Sequence, residues 1–130
     1  MFVLDTNTLV FFFRGAGRVA ERLLATPPSE VLLPAVVLYE LEVGVLQSAS
    51  PKRRREQLQE LLDLVAVLPF GAREALAAAR LRTELELGGR GIGPLDTLIA
   101  ATALANTATL VTHNVKEFSR VKGLRVEDWF

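Results

Sequence analysis

Five short apolar runs punctuate the chain, at Phe2–Leu4, Val31–Leu33, Leu64–Leu68, Thr109–Thr112 and near Leu124–Val126, and longer segments with helical periodicity lie between most of them. Alternation of this kind selects an α/β fold. The strand candidates are nearly continuous in apolar character, as expected for a parallel sheet covered on both faces. Helices are expected over residues 17–26, 35–48, 52–63, 71–87 and 94–106, with a short turn around 114–118. Their punctuation is explicit: Pro34 precedes one, Pro51 opens another, Gly71 starts a third that Gly88-Gly89 ends, and Gly93-Pro94 puts proline at a first helical position.

Half of the 130 residues are hydrophobic, enough for one well-cored domain over 1–130. No apolar run approaches the roughly 20 residues that span a bilayer. The opening Met1-Phe2-Val3-Leu4-Asp5 lacks the basic segment of a secretory signal, so a cytoplasmic protein with no membrane contact is expected. The absence of cysteine excludes disulfides, thiolate nucleophiles and cysteine zinc sites, and a single histidine excludes multi-histidine metal sites. Any metal must bind through oxygen, which suits hard cations such as Mg²⁺ or Mn²⁺.

Two of the four aspartates fall where α/β domains build sites. Asp5-Thr6-Asn7 follows the first strand directly and would floor the crevice beyond the strand ends, although Asp5 or Thr6 could equally cap the next helix. Asp96 opens a helix rich in small residues and shares a face with Ile99, Ala100 and Ala103. That is the packed side, where a carboxylate needs a partner. Glu40 and Glu42 flank the Val37, Leu41, Val45 stripe of one helix on opposite sides, so periodicity does not choose between them, although Gly44 leaves room on Glu40's side. Thr112, Asn114 and Glu117 follow the fourth strand. His113, with no serine or cysteine motif beside it, reads as an exposed residue rather than a general base. The fold can thus bring Asp5, Glu40, Asp96 and Glu117 to one edge of the sheet, and four packed like charges call for a divalent cation.

Four segments carry a resemblance across nearly the whole chain: Phe2-Val3-Leu4-Asp5-Thr6-Asn7, Tyr39-Glu40-Leu41-Glu42-Val43-Gly44, Gly91-Ile92-Gly93-Pro94-Leu95-Asp96-Thr97-Leu98-Ile99-Ala100 and Leu110-Val111-Thr112-His113-Asn114-Val115-Lys116-Glu117-Phe118. With the closing Gly123-Leu124-Arg125-Val126-Glu127-Asp128-Trp129, their order and spacing resemble the PIN-domain ribonucleases, in particular VapC-type toxins of toxin–antitoxin pairs. The resemblance implies a three-layer α/β/α sandwich around a parallel sheet, with Mg²⁺ or Mn²⁺ held by Asp5, Glu40 and Asp96, so it selects Glu40 over Glu42. Many relatives have Asp where Asn114 stands, and Glu117 is taken as the fourth acid, with Thr6, Asn7, Thr112 and Asn114 supporting. The implied activity is metal-dependent hydrolysis of RNA, tRNA among the plausible targets, leaving 5′-phosphate and 3′-hydroxyl ends. The implied partners are a VapB-type antitoxin and a second copy of the chain.

Two other features await a use. Lys52-Arg53-Arg54-Arg55 could grip an RNA backbone, or be a solvated helix face. Phe11-Phe12-Phe13 cannot all bury against one surface, and fit core, a dimer contact or an antitoxin groove. A receiver-type signalling domain would need a carboxylate at the third strand's end, where Val67-Leu68-Pro69-Phe70 offers none; a haloacid-dehalogenase-like phosphatase would need Asp where Asn7 stands. A PIN-like domain that binds RNA or a partner without cutting is the remaining alternative, and the intact acids argue against it. The 15 basic and 15 acidic residues cancel overall, but with the four candidate acids set aside the balance is 15 to 11, a modestly basic body around an acidic pocket.

Overall fold

Residues 1–130 are described in the computed structural model. Strands β1 (Phe2–Leu4), β2 (Val31–Pro34), β3 (Ala66–Leu68), β4 (Thr109–Val111) and β5 (Val126–Glu127) form one parallel sheet in the order β3-β2-β1-β4-β5. Helices α1 (Thr6–Arg14) and α2 (Val19–Leu24) join β1 to β2, α3 (Ala35–Leu46) and α4 (Pro51–Leu64) join β2 to β3, and α5 (Ala72–Leu87) and α6 (Pro94–Ala105) join β3 to β4. A single turn, α7 (Val115–Phe118), precedes β5. The expected parallel sheet flanked by helices is therefore present.

Burial follows the sheet order. Val3, Leu4, Leu110 and Val111, on the two strands inside the β1–β4 pair, are at most 1% exposed, and they join a core of 26 buried residues that includes Val37, Leu58, Ile99 and Phe118. At the edge the expectation of two covered faces fails: Ala66 and Val67 of β3 are exposed. Leu64, read as the start of that strand, instead ends α4.

Helix α1 is the element that periodicity did not reveal. Its residues are mostly β-branched, aromatic or polar and rank low in helix propensity. Tertiary context makes it helical: Asp5 caps its start, Thr8 and Leu9 bury against the sheet, and Gly15 closes it. Successive helical residues point about 100° apart, which separates the three phenylalanines. Phe11 meets Phe130 edge-on, whereas Phe12 and Phe13 pack on each other. The next helix starts at Val19 rather than residue 17 because Gly17 sits at φ +60 directly under Phe130; a Cβ there would lie 2.7 Å from the Phe130 carbonyl oxygen.

Candidate metal centre and nuclease site

In an open parallel sheet the crevice opens where successive connections diverge, and here that is the carboxyl end of the β1–β4 pair. Asp5 leaves β1 still paired, its amide donating to the Val111 carbonyl at 3.1 Å. Its carboxylate then does two things at once. Oδ1 accepts the Thr8 amide at 2.9 Å, capping α1, and Oδ2 accepts the Thr112 hydroxyl at 2.6 Å. The cap and the site, alternatives in sequence, are served by one side chain, since an ionised carboxylate has about four acceptor positions. Thr112, fully buried, also accepts the Asn114 amide at 3.0 Å.

Residue Glu40 faces the same region from α3, and the Thr6 hydroxyl donates to it at 2.7 Å. Glu42 turns away and pairs with Arg55 of α4. Asp96 stands in the first turn of α6, over Gly93; a Cβ on Gly93 would be 3.4 Å from Asp96 Oδ2. Glu117 on α7 accepts the Gly93 amide at 3.2 Å with one oxygen and the Asn114 side-chain amide with the other. It thereby ties α7 to the loop that launches α6, and Arg120 adds a second tie to the Gly91 carbonyl at 3.1 Å. Asn7 is exposed and makes no hydrogen bond to the four acids.

Electrostatics connects the four. Burial pushes the Asp96 carboxyl up to about 6; the negative charge and hydrogen-bonding contact of Glu117 push the same way, and Asp5 and Glu40 add to it. A carboxyl crowded by other acids is relieved by a cation, and an all-oxygen donor set suits a hard divalent one. PIN nucleases generally use a divalent metal. No three acidic side chains here stand in a ready-made ligand cage. Three of the four acids spend oxygens on Thr112, Thr8, Thr6, Gly93 and Asn114, so holding a metal through them would mean exchanging some of these bonds.

Thr8, Gly93 and Arg120 also serve the site, and none of them is among the candidate residues that the sequence marks. Asp5 read as an N-cap points to the amide three residues on, that of Thr8; the other two act through backbone groups of a loop and leave no such trace. His113 lies outside the acid group, half-exposed, paired with Asp128 at 3.0 Å and stacked on Phe130 at 4.3 Å between ring centres. No helix is long and apolar enough to cross a membrane.

Residues 2–124 match the PIN domain family. The chain is 30% identical to the tRNA(fMet)-specific endonuclease VapC of Salmonella typhimurium, covering 98% of this chain and 97% of that one. It is 35% identical to Ribonuclease VapC2 of Rickettsia felis, covering 99% and 98%. Among solved structures it resembles VapBC2 of Rickettsia felis bound to a promoter DNA fragment, with a TM-score of 0.92 at 34% identity over 99% of this chain and 98% of that chain. A parallel sheet whose central strand ends in an acid, spaced acids drawn to that end, and a match along nearly the whole length make this chain a member of the PIN domain family, of the VapC type.

Proposed function

We propose that the protein is the toxin of a type II toxin–antitoxin pair, an endoribonuclease that hydrolyses RNA phosphodiester bonds at the β1–β4 crevice and is neutralised by a VapB-type antitoxin. The observation that carries the catalytic part is the crowding of Asp96 by Glu117, Asp5 and Glu40. Asp5, Glu40, Asp96 and Glu117 would hold the divalent ion, Mg²⁺ or Mn²⁺, with the Asn114 side-chain amide supporting Glu117. When bound, the ion lowers the pKa of the attacking water and neutralises charge on the phosphate. The chain's own groups prepare that event. Thr112 and Thr8 fix both oxygens of Asp5, and Thr6 orients Glu40. A carboxylate of the group takes the proton of the water. Asn7, exposed at the crevice mouth, positions water or RNA.

The antitoxin's place is a groove of about 490 Å³ between α2 and α4, lined by Phe12, Phe13, Leu24, Leu61 and Leu64. Leu24 and Leu64 are 77% and 61% exposed, an apolar surface that an amphipathic helix covers well. A second copy of the chain would meet the apolar face around Tyr39 and Leu46 of α3, which are 58% and 77% exposed. The full 1–130 chain acts as one domain, in the cytoplasm, where a tRNA target is met.

The decisive experiment incubates the purified protein with tRNA and a structured control RNA, with Mg²⁺, with Mn²⁺ and with chelator. Metal-dependent cuts ending in 5′-phosphate, absent in Asp5→Ala and Asp96→Ala, are expected. Cleavage that survives both substitutions, or none in the wild type, defeats the assignment.

A further inference from the structure

Besides the acid crevice, Glu40 borders a narrow cleft of about 180 Å³ between α1, α3 and α4, whose lining includes Thr6, Phe13, Arg14, Arg54 and Gln57. Its volume falls below the roughly 300–1,000 Å³ of clefts that take drug-sized molecules, so it admits one base-sized group. The floor is apolar and the rim is cationic. At one end, through Glu40 and Thr6, it is continuous with the residues of the acid crevice.

The cleft also sorts the basic run at the start of α4. Arg55 is spent on Glu42, and Lys52 and Arg53 are exposed and line no part of the cleft. Arg54 alone is half-buried and faces in, steadied by the Gln57 side chain at 2.9 Å. Arg14 enters from the last turn of α1. Neither Arg14 nor Arg54 has a carboxylate within salt-bridge distance. A basic run at the start of a helix is disfavoured by the helix dipole, and of the four residues in this one Arg54 is the one that lines the cleft. By contrast, in a cavity of about 520 Å³ between α5 and α6 the two charged residues, Arg82 and Glu86, pair with each other.

We propose that this cleft is the subsite for the unpaired nucleotide adjoining the scissile phosphate, with its phosphate held between Arg14 and Arg54 and its base against Phe13 and the apolar floor. The assignment rests on the ribonuclease reading of the crevice. Guanidinium groups match phosphate in planar, two-point fashion, and an aromatic face accepts any base. Only a splayed-out nucleotide reaches such a slot, so cleavage falls in single-stranded loops or ends rather than within a duplex. Positive charge beside the negative crevice lets the backbone enter without raising the repulsion around Asp96.

The test measures anisotropy of a short fluorescent single-stranded RNA, and its cleavage, for wild type, Arg14→Ala, Arg54→Ala, Arg54→Lys and Arg53→Ala. Arg14→Ala and Arg54→Ala are each expected to weaken Kd and raise KM about tenfold, the scale of one charge-assisted contact, with kcat little changed. The slope of log K against log salt should fall by about 0.7 per lost phosphate contact. Arg54→Lys should recover part of the loss, and Arg53→Ala should match wild type. Unchanged RNA binding in Arg14→Ala and Arg54→Ala overturns the subsite, as does an equal loss in Arg53→Ala. So does unchanged RNA handling with weakened antitoxin binding, which would give the cleft to the protein partner. A wild type that cuts with those substitutions silent fails the subsite alone; a wild type that cuts no RNA fails the ribonuclease reading and the subsite with it.

Discussion

Two acids stand near opposite ends of α6, and folding changes their proton affinity in opposite directions. At its start Asp96 faces other carboxylates and is pushed up to about 6. At its far end Glu74, buried at the start of α5, accepts the Gly71 amide at 2.9 Å and the Asn106 side-chain amide at 3.2 Å; these bonds, the Gly71 amide foremost, hold it below the usual carboxylate range. Both are acids in the first turn of a helix, where the dipole favours them equally. The difference is the company. Surrounded by donors, a carboxylate is a structural joint between two helices; surrounded by acids, it is a receptor for a cation. Burial or helix position alone distinguishes neither.

The largest expected effect breaks the pair by function. Asp96→Asn should reduce RNA cleavage on the order of 10³-fold, the scale of losing one preorganised electrostatic group, while thermal stability without metal is kept or raised. Glu74→Gln should leave kcat within about twofold, since Glu74 touches nothing in the crevice. A destabilised Asp96→Asn protein would show that Asp96 is a joint after all.

Next comes the positioning of Asp5. Thr112→Val leaves Asp5 Oδ2 and the Asn114 amide without their buried partner, and should cost about 1–3 kcal/mol in urea melts and about 10–100-fold in metal affinity or cleavage. Metal titration by calorimetry separates the two losses. An unchanged affinity would mean that Asp5 needs no fixing.

The third prediction concerns pH and metal. Because Asp96 binds its proton more tightly folded than unfolded, metal-free stability should fall as pH rises from about 4 through 6 and then level off. For a partly exposed group the change is about 1 kcal/mol after solvent screening. Asp96→Asn should flatten this limb, and Mg²⁺ or Mn²⁺ should raise the wild-type Tm most above pH 6. A flat wild-type profile would remove the electrostatic case for the site.

Smallest is the mirror image at Glu74. Its depressed affinity contributes stability above its ordinary titration range near pH 4.5 that is lost as pH falls below it. Glu74→Gln should therefore lower Tm by a few degrees or less at pH 7 and have a vanishing effect at pH 3. An equal loss at both values would assign its role to packing.

What is legible in the sequence follows from the range of the interactions. Alternating apolar runs determine an α/β parallel sheet, because burial period and strand length are local properties. The positions of Asp5, Asp96 and Glu117 at strand ends or helix starts are equally local. Helix α1 was not legible, since its residues disfavour helix and only the Asp5 cap and contacts with the sheet enforce it. Glu40 and Glu42 were inseparable by periodicity, differing only in which distant residue each meets, Thr6 or Arg55. The four basic residues Lys52–Arg55 looked equivalent for the same reason. The sequence by itself determined which acids exist and which element each begins or ends. Only the tertiary structure decided which of them crowd one another and which find a donor, because partners within a few ångströms, such as Thr6 for Glu40 and Thr112 for Asp5, lie 34 and 107 residues away along the chain.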